Sequence, residues 1–192
     1  VAVIACVASA PVARAVTLPV VLIGPMAAGK SAVGQTLRTR HGYRLIDSDA
    51  RIVAAQGTIP EIFAHHDEAH FRRLEAAAIG EILADPDSVG AIVSVGGGAP
   101  MTPAVARLLA ETTVVYLLVD EQTVAERIRT EGDRPLLAGH PLQRWRQMYA
   151  QRHETYERLA DLVVDARGHR DLVTLADEIH EHLARAAGKE QR

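Results

Sequence analysis

The sequence predicts an α/β fold, a mostly parallel sheet of five strands with helices on both faces, a three-layer α/β/α arrangement. Three observations carry this. Short β-branched, apolar runs alternate with longer segments of helical periodicity. The runs are apolar throughout instead of alternating, as in strands buried on both faces. The first three runs end in glycine or aspartate. Right-handed crossovers place strand ends of that kind along one sheet edge, where ligands gather in such folds.

The elements follow in order. Val20-Val21-Leu22-Ile23 reads as the first strand and stops at Gly24. A helix follows over 31–40, with Val33 and Leu37 four apart on one face. Residues 43–46 form the second strand, running into Asp47-Ser48-Asp49. Residues 50–84 read as largely helical, with a break around Gly57 to Pro60. The third strand, 91–95, is stopped by Gly96-Gly97-Gly98, and 114–119 and 162–164 supply the fourth and fifth. Helical patterns fill 103–110, 121–130, 141–160 and 171–186.

Residues 1–19 are small and apolar, with no Lys or Arg before Arg14, unlike the basic start of a signal peptide. Their uncharged run is too short to span a bilayer as a helix. We expect a poorly ordered extension over 1–19, one domain over 20–187 and a polar tail over 188–192. A chain of 192 residues suits one domain, and 48% hydrophobic residues place it among globular proteins.

With 21 basic residues against 24 acidic ones, the net charge is −3. There is no basic excess to suggest a nucleic-acid or membrane-surface partner. Cys6 is the single cysteine, which excludes an intramolecular disulfide and fits a reducing cytoplasm. Only two of the basic residues are lysine, Lys30 and Lys189, so arginine is the default cation here. Lys189 reads as a solvated tail charge.

Lys30 lies in Gly24-Pro25-Met26-Ala27-Ala28-Gly29-Lys30-Ser31, which matches the phosphate-binding pattern G-x-x-x-x-G-K-S between a strand and a helix. Backbone amides of such a loop face phosphate oxygens at a helix N-terminus. Ala27, Ala28, Gly29, Lys30, Ser31 and Ala32 are the expected nucleotide cradle. Lys30 reaches the β- and γ-phosphates as a compact charge that a wider Arg fork would replace poorly. Ser31 offers its hydroxyl to Mg²⁺.

Asp47 and Asp49 lie two apart, so in extended geometry both carboxylates point the same way. One would hold Mg²⁺, directly or through water, and the other a substrate hydroxyl; Asp49 alone also suits a helix N-cap. The triplet Gly96-Gly97-Gly98 lets backbone approach a ligand closely, or simply joins strand to helix. Arg72 and Glu75 are i,i+3 neighbours, either a clamp for a substrate carboxylate or a surface pair. Arg134 follows Gly132 in a segment of mobile-loop composition, from which it can close over a transferring phosphate. Arg152 precedes Tyr156 by one turn. Arg144-Trp145-Arg146 suits a lid lining without chemistry, and His65, His66 and His70, lacking acid or Cys partners at ligand spacing, read as a solvated helical face.

These motifs in this order resemble the shikimate kinases, a P-loop group allied to the nucleoside-monophosphate kinases. The matching residues are the loop from Gly24 to Ser31, Asp47-x-Asp49, Phe71-Arg72-x-x-Glu75, Gly96 to Gly98, Arg134-Pro135-Leu136-Leu137 and Arg152-x-x-x-Tyr156. The resemblance covers about 20–182. It implies a five-stranded parallel sheet, a helical substrate region and a mobile lid. It also implies transfer of the ATP γ-phosphate to the 3-hydroxyl of shikimate, in aromatic amino-acid biosynthesis, by a cytoplasmic monomer. Asp49 would orient or deprotonate that hydroxyl, Arg72 and Arg152 would bind the carboxylate beside the Gly97 and Gly98 backbone, and Lys30 and Arg134 would stabilise the moving phosphoryl group. Ser31 would ligate Mg²⁺, with Asp47 in its outer shell.

Departures from the family pattern are local. Ala27 replaces a usual glycine, acceptable only at negative φ. Ala32 stands where Thr is frequent, one residue is missing around 58–60, and no proline occurs at 153–155. The adenine contact stays open between Arg167 and Arg170. The rival readings are another small-metabolite kinase, such as a gluconate kinase, and a nucleotide-binding regulatory domain without catalysis. The intact substrate set argues against both.

Overall fold

The computed structural model describes residues 18–131, 141–168 and 170–190. Strand β1 (Val20–Ile23) is buried along its whole length. It lies at the centre of a five-stranded sheet of order β2-β3-β1-β4-β5, formed with β2 (Leu45–Asp47), β3 (Ile92–Ser94), β4 (Thr113–Leu118) and β5 (Leu162–Asp165). Every pairing is parallel, with Val21 opposite Val93 on one side and Val114 on the other. A central strand covered on both faces has no polar side to offer, which is why its sequence is apolar throughout.

Pleating sends alternate β1 residues into different layers. Val20 and Leu22 pack with Val33 and Leu37 of helix α1 (Lys30–His41) and with Leu175, Ile179 and Leu183 of α8 (Leu172–Glu190). Val21 and Ile23 pack on the other face with Ile79 and Ile82 of α4 (Glu68–Ala84) and Val105 and Leu109 of α5 (Pro103–Leu109). Helix α6 (Glu121–Glu131) follows β4, and α7 (Pro141–Leu159) places Trp145 in the first layer and Tyr156 in the second. A small third core of Ile52, Ile62 and Phe71 joins α4 to α2 (Ser48–Gln56) and α3 (Ile59–His65) beside the sheet.

The stretch expected as helical with a break around Gly57 to Pro60 thus holds three helices. Gly57 ends α2 at φ 89°, and Thr58 with Glu61 closes a capping box on α3. Asp67 then caps α4 by accepting the His70 amide at 2.7 Å. The second strand starts at Leu45, later than the apolar pattern suggested, with Tyr43 buried just before it. Helix α8 continues to Glu190, into the stretch expected as a polar tail. Among the described residues no helix is long and apolar enough to cross a membrane.

Candidate active site

The carboxyl ends of β1, β2 and β3 open into a cleft of about 780 Å³, lined by the phosphate loop on one side and by Asp49, Arg72, Gly96 to Gly98 and Arg152 on the other. On the loop side Gly29, at φ 89°, precedes α1 and supplies no side-chain cap. The helix N-terminus, with its partial positive charge, is therefore presented to an anion. The Lys30 ammonium folds over its own loop, donating to the carbonyls of Gly24 (2.9 Å) and Pro25 (3.1 Å), which holds its charge at the loop.

Ala27 departs from expectation. Its φ is +62°, in the left-handed region, where a side chain costs about 1–3 kcal/mol. Tertiary contacts impose this conformation: the residue is buried, and its carbonyl accepts a hydrogen bond from Arg127 of α6 at 2.8 Å.

Asp47 and Asp49 do not share an extended segment. The strand ends at Asp47 and the helix begins at Ser48, so Asp47, not Asp49, is the N-cap. Its Oδ1 accepts the amides of Asp49 (3.0 Å) and Ala50 (3.1 Å). Its Oδ2 faces the Ser31 hydroxyl at 3.5 Å. The two expected Mg²⁺ residues are therefore adjacent, one hydroxyl and one carboxylate oxygen left over by the cap. Mg²⁺ prefers hard oxygen donors and commonly takes only one or two protein ligands, with water and substrate phosphates completing its shell, so this donor pair fits.

On the acceptor side, Asp49 Oδ1 is buried and has no hydrogen-bond partner among the described residues. Burial, aided by the charge of Asp47, pushes the Asp49 carboxyl above the usual carboxylate range, while Lys30 and Arg72 pull it back. Arg72 is gripped by two acids of its own helix, Glu75 at 2.7 Å and Glu68 at 3.1 Å. Glu75 is only 1% exposed, so this is not the surface pair that spacing alone allowed. Burial raises the Glu75 carboxyl too, against the pull of Arg72. Arg152 of α7 lines the same cleft, and its charge reaches both Glu75 and Tyr156.

The glycine triplet is required for space. A Cβ on Gly96 would lie 2.6 Å from Glu75 Oε1 and 3.2 Å from Asp49 Oδ1. On Gly97 it would meet the Gly24 carbonyl oxygen at 3.2 Å, and on Gly98 the Arg72 guanidinium at 2.5 Å. Each missing side chain makes room for a different part of the site.

Arg134 lies outside the described residues. Arg167 and Arg170, the two candidates for the adenine side, are both held by acids: Arg167 by Asp165 at 2.7 Å, and Arg170 by Glu178 at 2.8 Å. The sequence reading missed Arg127, which no spacing separated from the other arginines. It treated Trp145 as lid lining, whereas the indole is buried and donates to the Met26 carbonyl at 3.1 Å.

Comparison with known proteins agrees with this geometry. The shikimate kinase family model matches residues 26–185. The chain is 42% identical over 150 residues to a shikimate kinase of Streptomyces coelicolor, covering 78% of this chain and 86% of the relative. Its structure is similar to that of the Acinetobacter baumannii shikimate kinase in complex with shikimate, with a TM-score of 0.81 and 29% identity over 92% of this chain and 98% of that one. A gluconokinase of Sinorhizobium meliloti has a TM-score of 0.61 at 24% identity over 92% of this chain and 97% of that one, a likeness of fold alone. By site, fold and sequence, the chain belongs to the shikimate kinase family.

Proposed function

We propose that this chain transfers the γ-phosphate of ATP to the 3-hydroxyl of shikimate, with its residues in the following roles. The observation that carries the assignment of roles is the buried Asp49 oxygen, without a partner among the described residues and within reach of the charges of Lys30 and Arg72. A substrate hydroxyl donating to that oxygen would satisfy it, and the raised basicity of the carboxylate suits it to take the proton as the hydroxyl oxygen attacks.

Arg72, pre-oriented by Glu75 and Glu68, grips the substrate carboxylate together with Arg152, beside the Gly97 and Gly98 backbone. Lys30 and the α1 N-terminus stabilise charge on the transferring phosphoryl group, joined by Arg134 from its own segment. Ser31 and Asp47 hold Mg²⁺, which when bound supplies charge neutralisation on the phosphates. The relative solved with shikimate supports the same acceptor here. A monomer working in the cytoplasm completes the reading; the lone cysteine suits that reducing setting, and gel filtration tests the oligomeric state.

The direct test is a coupled assay of ADP release. With Mg-ATP, release is expected on adding shikimate and not on adding gluconate. Equal release with gluconate, or none with either acid, would overturn the assignment.

A further inference from the structure

Helix α7 carries two buried side chains that bind backbone in two different loops of the cleft. Trp145, 3% exposed, donates its indole N–H to the carbonyl of Met26 in the phosphate loop at 3.1 Å. Tyr156, 0% exposed, donates its hydroxyl to the carbonyl of Gly97 in the glycine triplet at 2.5 Å. The two loops also touch each other: the position a Gly97 Cβ would take is 3.2 Å from the Gly24 oxygen and 3.4 Å from the Met26 nitrogen.

The anchors are joined by more than the helix. Trp145 stacks on Tyr149 with ring centres 4.7 Å apart. Tyr149 shares a hydrogen bond with Tyr116 of the central sheet at 3.1 Å, and Tyr116 packs on Tyr156 at 5.4 Å. This continuous chain of rings runs from one core layer to the other, with Trp145 in the first and Tyr156 in the second. Such a chain of packed rings, buried except at the partly exposed Tyr149, resists compression.

We infer that α7 is a two-point strut, with Trp145 and Tyr156 as positioning residues that fix the separation between the phosphate loop and the acceptor loop. Neither side chain touches the reacting atoms; each acts through the carbonyl it holds. The inference rests on the kinase reading, because a fixed separation matters only if a group passes between the loops. Phosphoryl transfer is governed by such alignment, and a misplacement of about 1 Å can cost on the order of 100-fold.

Tyr156→Phe removes only the hydroxyl and Trp145→Phe only the indole N–H and part of the ring, so both retain an aromatic core. The test measures kcat and both KM values, calorimetric binding of ATP alone and shikimate alone, and the thermal midpoint, for each variant and for the pair. Each single change is expected to lower kcat roughly tenfold while each ligand alone binds within about twofold of wild type. The double variant is expected within about threefold of the weaker single one, since freeing either end already releases the separation.

An unchanged kcat, a loss confined to KM, or a double effect equal to the product of the singles (about 100-fold) would overturn the strut. Should Tyr156→Phe cost the fold, the same kcat-against-binding comparison on Trp145→Phe decides. If the wild-type protein neither binds nor phosphorylates shikimate, the functional reading fails and takes the strut with it. Binding and turnover with unaltered variants overturn the strut alone.

Discussion

Two carboxylates of the cleft, Asp49 and Glu75, and three acids elsewhere on the molecule are treated in opposite ways. Burial lifts Asp49 and Glu75 above the usual range. Away from the cleft, hydrogen bonds from partners draw acids below it: Arg167 brings Asp165 to about 2, Arg40 lowers Asp177, and the Thr58 hydroxyl and amide lower Glu61. Acids that serve the architecture are given donors and left in water. Asp49 is partly buried, and its one fully buried oxygen is left without a partner among the described residues. That is a cost to stability that makes sense only where a ligand supplies the missing donor.

The sharpest way to break this contrast is Asp49→Asn. Turnover should fall by about 10²- to 10⁴-fold with ATP binding largely intact, measured by steady-state kinetics and calorimetry. The thermal midpoint at neutral pH should rise, because the folded state disfavours the charge that the substitution removes. The sign can be checked by pH. A raised folded pKa means the folded state binds the proton more tightly than the unfolded one, so wild type should gain stability from this group as pH falls through that raised value. Activity should be lost over the same interval as Asp49 protonates, giving kcat/KM an acid limb above the ~4 of an ordinary carboxylate. A midpoint that drops in the variant, or an acid limb at an ordinary carboxylate value, would place Asp49 with the architectural acids.

Gly98→Ala should produce a smaller and different effect. Its methyl would fall 2.5 Å from the Arg72 guanidinium, which must leave its place against Glu75. We expect the KM for shikimate to rise about tenfold or more, with little change in the KM for ATP and a lower thermal midpoint. An unchanged shikimate KM would show that Arg72 does not bind the acceptor.

The smallest effect is expected at the far end of α1, where Arg40 and His41 hold Asp177 of α8 at 2.6 and 2.7 Å. Asp177→Asn should leave turnover unchanged and lower the thermal midpoint slightly near neutral pH. A depressed folded pKa contributes stability above the unfolded value near ~4, which is lost as pH falls through the lower folded value. The difference between wild type and variant should therefore disappear in acid. A difference that persists there would mean that packing, not charge, holds the two helices.

How far the site could be read from sequence depended on the range of each interaction. The phosphate loop and the apolar central strand are written in consecutive residues, so pattern alone placed them. Asp47 and Asp49 were recognised as a pair, but which one caps the helix was settled by backbone amides at 49 and 50 that either reading allowed. Arg127 and Trp145 bind carbonyls 100 and 119 residues away, and a carbonyl leaves no mark in a sequence. Ala27 followed the same logic: its residue type argues for negative φ, and contacts from a distant helix impose the opposite.

The most direct measurement is to incubate the protein with Mg-ATP and shikimate and locate the phosphate on the product by phosphorus–proton NMR correlation. Phosphate on the 3-hydroxyl is expected from wild type, and at least about 100-fold less product in the same time from Asp49→Asn at full ATP occupancy. Phosphate on another hydroxyl, or undiminished product from the variant, would contradict the role given to the Asp49 carboxylate.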